Sequence, residues 1–272
     1  MYESYWQLTG RPFENTSDTR FYYPAEPHQG ALLKLRYAVE NRRGAALLAG
    51  AAGLGKSMIV HALLRQLSET YWPRVHVVFP QMPPDQLLSY LSESLSETNR
   101  DDVMTIAQSI RSLERTLAEN VAAGRHAVVV IDEAQDLADA ATLETIRLLL
   151  NFEHRAETAF TMLLVGQPSL LPVLERTPEL DERLAVKCLL RRMTVDESVS
   201  YVHHRLKAAG VERELFEPAA LETVHHLSQG VPRQINRLCD LALLIGFAEE
   251  RDAIGPEQIE AIAEELTATV PE

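Results

Sequence analysis

The segment Gly50–Ser57 has the sequence GAAGLGKS, which matches the pattern G-x-x-x-x-G-K-[ST] at every fixed position. It follows a short apolar run, Ala45–Ala49, and precedes a helical pattern, so it stands where a strand gives way to a helix. Its glycines let the backbone adopt conformations that other residues avoid, and its N–H groups can then converge on phosphate oxygens. This arrangement predicts an α/β fold with a phosphate-binding loop.

The residue types in this loop suit the parts of a metal-bound triphosphate. The loop backbone and the positive end of the following helix favour bound phosphate. Lys56 can reach the β- and γ-phosphates, and the Ser57 hydroxyl can ligate Mg²⁺. The predicted cofactors are therefore ATP and Mg²⁺. The predicted nucleotide-binding residues are Gly50, Ala51, Ala52, Gly53, Leu54, Gly55, Lys56, Ser57 and Met58.

Two adjacent carboxylates, Asp132 and Glu133, follow the apolar run Val128–Ile131. Packing accounts for the run, since a parallel strand buried on both faces needs one. It does not account for two acids, because mutual repulsion and partial burial both cost free energy. A Mg²⁺ ion would offset that cost, so we expect Asp132 to hold the metal through water and Glu133 to polarise the attacking water. The alternative, an exposed acidic loop, is disfavoured by the phosphate loop in the same chain.

Short apolar runs, often β-branched, alternate with helical patterns, which predicts a mainly parallel five-stranded sheet covered on both faces. The predicted strands are Ala45–Ala49, Val75–Phe79, Ala127–Ile131, Thr161–Val165 and Ala185–Leu190, and the predicted helices are 29–41, 56–68, 85–96, 102–123 and 140–152. From residue 195 onward only helical patterns occur. The predicted parts are an N-terminal linker and first helix packed on the core (1–44), a nucleotide-binding α/β core (45–192) and a small all-helical domain (193–272).

The charge balance is unevenly distributed along the chain. The net charge is −13, made up of +1 over residues 1–44 and −7 over each of 45–190 and 191–272. Nucleic-acid-binding proteins usually carry a basic face. The acidic balance therefore disfavours DNA as a partner without excluding it.

Three further features bear on location. No apolar run approaches the ~20 residues that a membrane-spanning helix needs, and the N-terminus lacks the pattern of a secretory signal. Cys188 and Cys239 fit no metal-ligand spacing. A reduced, cytoplasmic protein without a membrane segment is the simplest interpretation.

Ordered segments along nearly the whole chain carry a more specific signal. They are Asp132–Gln135, Arg147–Glu153, Leu164–Pro168, Leu180–Leu184 and Gly230–Asn236, preceded by Pro12-Phe13, Arg20–Tyr23 and Tyr37–Gly44. Together these segments resemble the ATPase domain of the general secretion pathway protein A (ExeA-type) family, a branch of the AAA+ ATPases. The resemblance implies a P-loop AAA+ three-layer sandwich followed by a small helical lid.

The resemblance also implies roles for residues outside the two motifs. Gln167 falls at the sensor-1 position, where it would orient the lytic water, although it could be an ordinary turn residue before a proline. Arg183 falls at the arginine-finger position, with Arg176 in reserve, although a solvated arginine is the alternative. Arg233 falls at the sensor-2 position, where the helix dipole disfavours a cation unless an anion binds. Arg237, one turn on, is better explained as a solvated residue.

Weaker assignments follow from family position alone. Gln81, after the second predicted strand, could sense the nucleotide state, although a plain strand-end residue explains it equally well. The segment Tyr23–His28 and Ile235 are candidates for the adenine pocket.

The resemblance implies a Mg-dependent AAA+ ATPase that couples ATP binding and hydrolysis to oligomer assembly or partner remodelling. It implies an ATP-promoted homo-oligomer, as a ring or a filament, and a protein partner. One alternative is a DNA-dependent ATPase of the transposition-accessory type (TniB and phage Mu B), for which Lys34, Arg36, Arg42 and Arg43 leave room. Another is a nucleotide-gated scaffold with little turnover, although a scaffold has no need of Glu133 as a base.

Overall fold

The computed structural model describes residues 1–16, 18–96, 104–137, 140–154 and 157–268. The strands are β1 Ala45–Ala49, β2 Arg74–Val77, β3 Ala127–Ile131, β4 Glu153–His154, β5 Glu157–Thr158, β6 Phe160–Gly166 and β7 Leu184–Leu189. The helices are α1 Glu3–Trp6, α2 Glu26–Glu40, α3 Lys56–Gln66, α4 Pro84–Ser96, α5 Ile106–Ala122, α6 Ala140–Leu149, α7 Leu171–Glu175, α8 Pro178–Asp181, α9 Val195–Ala208, α10 Pro218–Ser228, α11 Pro232–Ala248 and α12 Pro256–Ala268. None of the described helices is long and apolar enough to cross a membrane.

Five strands form a parallel sheet in the order β2-β3-β6-β1-β7. Every residue of the three inner strands is buried, as a strand covered on both faces requires. The edge strands β2 and β7 are buried only at some positions. The predicted α/β core is therefore present, and this sheet is parallel throughout.

The chain divides into two compact units, which we call the sheet unit and the helical unit. The sheet unit comprises the described residues of 29–51 and 59–190, and its core joins the inner strands to α4, α5 and α6. The helical unit comprises the described residues of 1–28, 52–58 and 191–272. Its core is built from α9 to α12 together with aromatic residues of the N-terminal segment.

The N-terminal segment belongs to the helical unit rather than to the sheet. The Trp6 indole is fully buried and donates its N–H to the Leu243 carbonyl at 2.8 Å. The buried Arg205 guanidinium donates to the backbone carbonyls of Pro12 and Glu14. This differs from the expectation that residues 1–44 pack as one part on the α/β core. Large aromatic side chains are buried in an apolar core, but the order of elements along the chain does not identify which of two cores buries them.

Several element bounds also differ from the prediction. Strand β2 ends at Val77, and Val78 and Phe79 are exposed, so their apolar character did not mark a buried strand. Helix α5 begins at Ile106, where Thr105 forms a capping box with Gln108; residues 102–103 lie outside the described part of the chain. Helix α6 ends at Leu149, and the antiparallel pair β4-β5 that follows was not predicted. Helix α8, which covers Pro178–Asp181, is not among the helices predicted above.

Candidate nucleotide-binding and catalytic site

The carboxyl ends of the inner strands meet at one edge of the sheet. Gly50 follows β1 and donates its N–H to the carbonyl of Gly166, the last residue of β6, at 3.1 Å. Asp132 follows β3 and donates its N–H to the Val77 carbonyl at the end of β2, at 2.9 Å. This edge is where ligands bind in open parallel sheets. The beginning of the phosphate loop and the acidic pair therefore leave the sheet on the same side.

The two carboxylates of the acidic pair have different surroundings. Asp132 is 7% exposed, and its Oδ1 accepts the Glu133 backbone N–H at 2.9 Å. Its Oδ2 lies 3.7 Å from the Nε2 atom of His76. The Glu133 side chain is exposed, and the backbone of Glu133 has a φ of 49°, in the left-handed region. Asp132 is thus held in place, whereas Glu133 projects from a turn.

Gln135 connects Glu133 to the sensor-1 position. Its Nε2 atom donates to Glu133 Oε2 at 2.7 Å. Its Oε1 atom accepts the Gln167 backbone N–H at 2.9 Å. The sequence segment around Asp132 includes Gln135, but no role was predicted for it, because its two partners are two residues and 32 residues away in the chain.

The middle of the phosphate loop lies in the helical unit. Gly53 and Gly55 have φ values of 80° and 89°, conformations that favour glycine. The Gly53 carbonyl accepts the Arg233 backbone N–H at 3.2 Å. The second residue of α11 therefore lies beside the loop.

His28 also contacts the loop. The ring is 4% exposed, and Nε2 lies 2.7 Å from the Leu54 carbonyl. Because a carbonyl can only accept, Nε2 carries the proton. Burial lowers the pKa of His28, although the bond to Leu54 opposes the shift. From the sequence, His28 is named only as part of a candidate adenine-pocket segment. No feature of the sequence indicates that His28 contacts the phosphate loop.

Lys56 and Ser57 are the first two residues of α3, directly after the loop. Lys56 is 7% exposed, which is unusual for a lysine. The positive end of the helix dipole lies at the same place. Met58, the third residue of the helix, is half-buried. The chain thus brings a buried cation, a hydroxyl and a helix N-terminus together within one turn.

The two finger candidates occupy different elements. Arg183 lies between α8 and β7, is exposed, and donates from Nη2 to Asn151 Oδ1 at 2.6 Å. Arg176 is exposed at the C-terminal cap of α7. Arg183 is therefore the candidate whose side chain is held by a neighbour in the same unit, through a hydrogen bond from the charged guanidinium to the neutral Asn151 amide.

The weaker candidates have varied surroundings. Gln81 is exposed and lies four residues beyond the end of β2. Tyr23 packs edge-on against Tyr201, with ring centroids 6.0 Å apart. Ile235 is fully buried in the core of the helical unit. Arg237 is exposed.

Two of the basic residues that left room for DNA are paired with carboxylates. Arg36 contacts Glu40 at 2.7 Å, and Arg42 contacts Glu157. Arg43 lies over the Tyr37 ring. Their positive charge is therefore partly compensated within the chain.

The described residues contain no cluster of three or more His, Cys, Asp or Glu side chains suited to a metal ion. Mg²⁺ usually binds through one or two carboxylates plus substrate phosphates rather than in an all-protein cage. Ser57 and Asp132 each carry the hard oxygen donors that Mg²⁺ prefers.

A protein-family model described as an AAA domain matches residues 39–174 of this chain. The General secretion pathway protein A of Aeromonas hydrophila is 32% identical over 271 residues, which cover 98% of this chain and 49% of that protein. The predicted resemblance is therefore confirmed, and the chain spans about half the length of this relative.

Solved structures show the same architecture. Cdc6p of Pyrobaculum aerophilum superposes with a TM-score of 0.73 at 17% identity, covering 96% of this chain and 74% of that one. The Aeropyrum pernix ORC2 protein, in ADPNP–ADP complexes, gives 0.72 at 17%, covering 94% and 71%. The Thermotoga maritima RuvB Holliday junction branch migration motor gives 0.58 at 19%, covering 88% and 69%. At these identities the likeness shows a shared fold.

Proposed function

The chain belongs to the AAA family and is a P-loop ATPase, and we propose that it uses Mg-ATP to assemble into oligomers and to act on a protein partner. The predicted AAA+ fold class is confirmed by the same comparisons. We propose the oligomer, the protein partner and the roles of individual residues together.

One observation carries the assignment of ATP to this chain. The loop between β1 and α3 matches the full phosphate-loop motif and holds Gly53 and Gly55 at positive φ, so that its backbone can cradle phosphates. The ORC2 structure, which shares the fold, contains ADPNP and ADP. We assign Gly50–Met58 as the phosphate-binding segment, with Lys56 contacting the β- and γ-phosphates.

The acidic pair supplies the rest of the chemistry. Ser57 and Asp132 would hold Mg²⁺, which neutralises charge on the phosphates when bound. Glu133 would accept a proton from the attacking water, and its carboxylate is exposed. Gln167 would help to orient the water.

Arg233 has a separate electrostatic role in the proposal. It lies at the N-terminal end of α11, where a cation is disfavoured by the helix dipole. Its backbone N–H contacts the Gly53 carbonyl, so its side chain starts beside the phosphate loop. A bound triphosphate would compensate the positive charge, and we therefore assign Arg233 as the sensor-2 residue.

Assembly follows from the finger assignment. Arg183 is exposed and makes a hydrogen bond to the neutral Asn151, which a stronger acceptor on a neighbouring subunit could replace. We assign Arg183 to the neighbour's ATP, with Arg176 as the reserve candidate. The identity to General secretion pathway protein A favours a protein partner of the secretion type. Both cysteines are free, which fits the reducing, ATP-containing cytoplasm.

The test of the proposal is ATP turnover by the purified chain, measured as phosphate release with Mg²⁺ and with excess chelator. We expect Mg-dependent turnover in the unmodified chain. Lys56→Ala should abolish it, because the triphosphate loses its cation in the loop, while Lys207→Ala, at an exposed position on α9, should leave it unchanged. Equal rates for Lys56→Ala and the unmodified chain would refute the phosphate-loop assignment.

A further inference from the structure

The Gln135 side chain bridges two parts of the site that are separate in the chain. One end of its amide donates to the Glu133 carboxylate at 2.7 Å, and the other end accepts the Gln167 N–H at 2.9 Å. Both bonds lie within the sheet unit. A single side chain therefore connects the acidic turn after β3 with the end of β6.

The chemistry of the two partners fixes the direction of the amide. An ionised carboxylate only accepts hydrogen bonds, and a backbone N–H only donates. A bridge between them needs one donor and one acceptor on the same planar group, at the length of a glutamine. Glutamate at this position could keep the bond to Gln167 but would oppose Glu133 with a second carboxylate.

The backbone around the bridge is arranged to admit it. A Cβ atom at Gly166 would lie 2.9 Å from Gln135 Oε1 and 3.2 Å from its backbone nitrogen, so a larger residue at 166 would push the bridge away. Glu133 has its left-handed φ of 49° directly before this turn. The absence of a side chain at Gly166 and the backbone conformation of Glu133 are thus both compatible with the hydrogen bond between the Gln135 amide and the Glu133 carboxylate.

We propose that Gln135 is a positioning residue that holds the carboxylate of Glu133 in place for water activation. The orientation of that carboxylate then depends on the hydrogen bond between Gln135 and the Gln167 backbone. The inference rests on the proposed function, since it presumes that Glu133 is the base. The bond engages Oε2 of Glu133 and leaves Oε1 for the attacking water.

The expected contribution of Gln135 to kcat follows from the conformational freedom of the Glu133 side chain. Glu133 is exposed, and an unrestrained glutamate samples many rotamers that point away from the substrate. Losing the restraint should lower kcat about tenfold. KM for ATP should stay within about twofold, because the two hydrogen bonds of this amide are to Glu133 and Gln167, outside the predicted nucleotide-binding segment.

The first test is Gln135→Glu, which keeps an acceptor for the Gln167 N–H but removes the donor to Glu133. We expect kcat to fall about tenfold with KM and the unfolding temperature close to those of the unmodified chain. The matched control is Gln86→Glu, which makes the same charge change at an exposed position on α4 and should leave kcat unchanged. Unchanged or increased kcat in Gln135→Glu would overturn the inference.

The second test asks whether Gln135 acts through Glu133. In a Glu133→Ala background, where no carboxylate remains to be held, adding Gln135→Glu should change the residual turnover by less than about twofold. A further tenfold loss in that background would show a merely structural role and overturn the inference. Absence of turnover in the unmodified chain would instead refute the proposed function, so the two failures are distinguishable.

Discussion

Glu133 has a backbone conformation that is unusual for a residue with a side chain. Its φ of 49° lies in the left-handed region, which costs on the order of 1–2 kcal/mol for an L-residue. Hydrogen bonds on both sides stabilise the turn, since the Glu133 N–H donates to Asp132 Oδ1 and its carbonyl accepts the Asp136 N–H. Strain of this kind clusters at functional sites, and here it coincides with the proposed base.

His126, directly before β3, is a buried histidine that should affect the stability of the fold. Its Nε2 atom lies 2.9 Å from Thr161 Oγ1, which itself donates to the Arg43 carbonyl, so Nε2 is the donor. Nδ1 is buried without a hydrogen-bond partner among the described residues. Burial lowers the pKa of His126 to about 4, and nearby Arg42 contributes. Protonation of the folded protein would bury an unpaired N–H.

This pKa predicts how stability depends on pH. Between pH 6.5 and about 4 the unfolded chain binds a proton at His126 that the folded protein does not. The free energy of unfolding should therefore fall as pH is lowered through this window, by at most about 3 kcal/mol from this group. Chemical denaturation at several pH values should show a shallower dependence in His126→Gln. The exposed His203→Gln is the control, and equal slopes in the unmodified chain and His126→Gln would contradict the assignment.

At the scale of elements, the phosphate loop depends on its glycines for two separate reasons. Gly53 has a φ of 80°, and a Cβ there would lie 2.9 Å from Arg233 Cβ and 3.1 Å from Val231 Cγ1. Both the conformation and the contact with the start of α11 therefore exclude a side chain. The glycine-rich loop sequence predicts the unusual backbone conformation, whereas only the structure reveals the contact with the start of α11.

Gly53→Ala should consequently weaken ATP binding. Strain at a positive φ costs roughly 1–3 kcal/mol, so we expect at least about a fivefold loss of affinity in titration calorimetry. Gly44→Ala is the matched control, because nothing lies within 4 Å of a Cβ at Gly44. An unchanged affinity in Gly53→Ala would mean that the loop does not bind phosphate in this conformation.

The bounds of a strand could be predicted from the sequence where the strand is buried on both faces of the sheet. The inner strands β1 and β3 begin and end at the predicted residues, because continuous apolar runs have few other structures open to them. Strand β2 could not be delimited in this way, since the exposed Val78 and Phe79 continue its apolar pattern. An apolar run in the sequence marks a buried strand only where the fold covers every residue of that run.

The same limit applies to the site. The motif residues Lys56, Ser57, Asp132 and Glu133 could be named from the sequence, because strand–loop–helix context defines them. The support given by His28 and Gln135 could not, since each depends on a contact between segments that the pattern does not relate. Motif residues are fixed by local spacing, whereas their supports are fixed by the fold.

At the scale of the whole molecule, the finger assignment makes an isolated subunit incomplete. If Arg183 acts on a neighbour's ATP, turnover per subunit should rise with protein concentration, and ATP should promote the oligomer. Arg183→Ala should lower turnover by on the order of 10³-fold with ATP affinity little changed. The exposed Arg111→Ala, on α5, is the control and should remain as active as the unmodified chain.

A mixture of two inactive variants tests whether the finger acts between subunits. Arg183→Ala keeps its phosphate loop and Lys56→Ala keeps its finger, so a shared interface would combine the two. Activity recovered on mixing would place Arg183 in trans. Full activity of Arg183→Ala alone, or of dilute monomers, would contradict it. Running the assay with and without duplex DNA separates a protein-directed ATPase from a DNA-dependent one.

We infer above all that this chain binds ATP in the phosphate loop and hydrolyses it with Glu133. The most direct measurement compares ATP affinity by calorimetry with turnover by phosphate release in Glu133→Gln, where the amide keeps the shape of the carboxylate but cannot accept the proton. Glu222→Gln, at an exposed position on α10, is the matched control. We predict that Glu133→Gln binds ATP as tightly as the unmodified chain and loses at least about 99% of turnover. Turnover at the unmodified rate would place the base elsewhere and contradict the account.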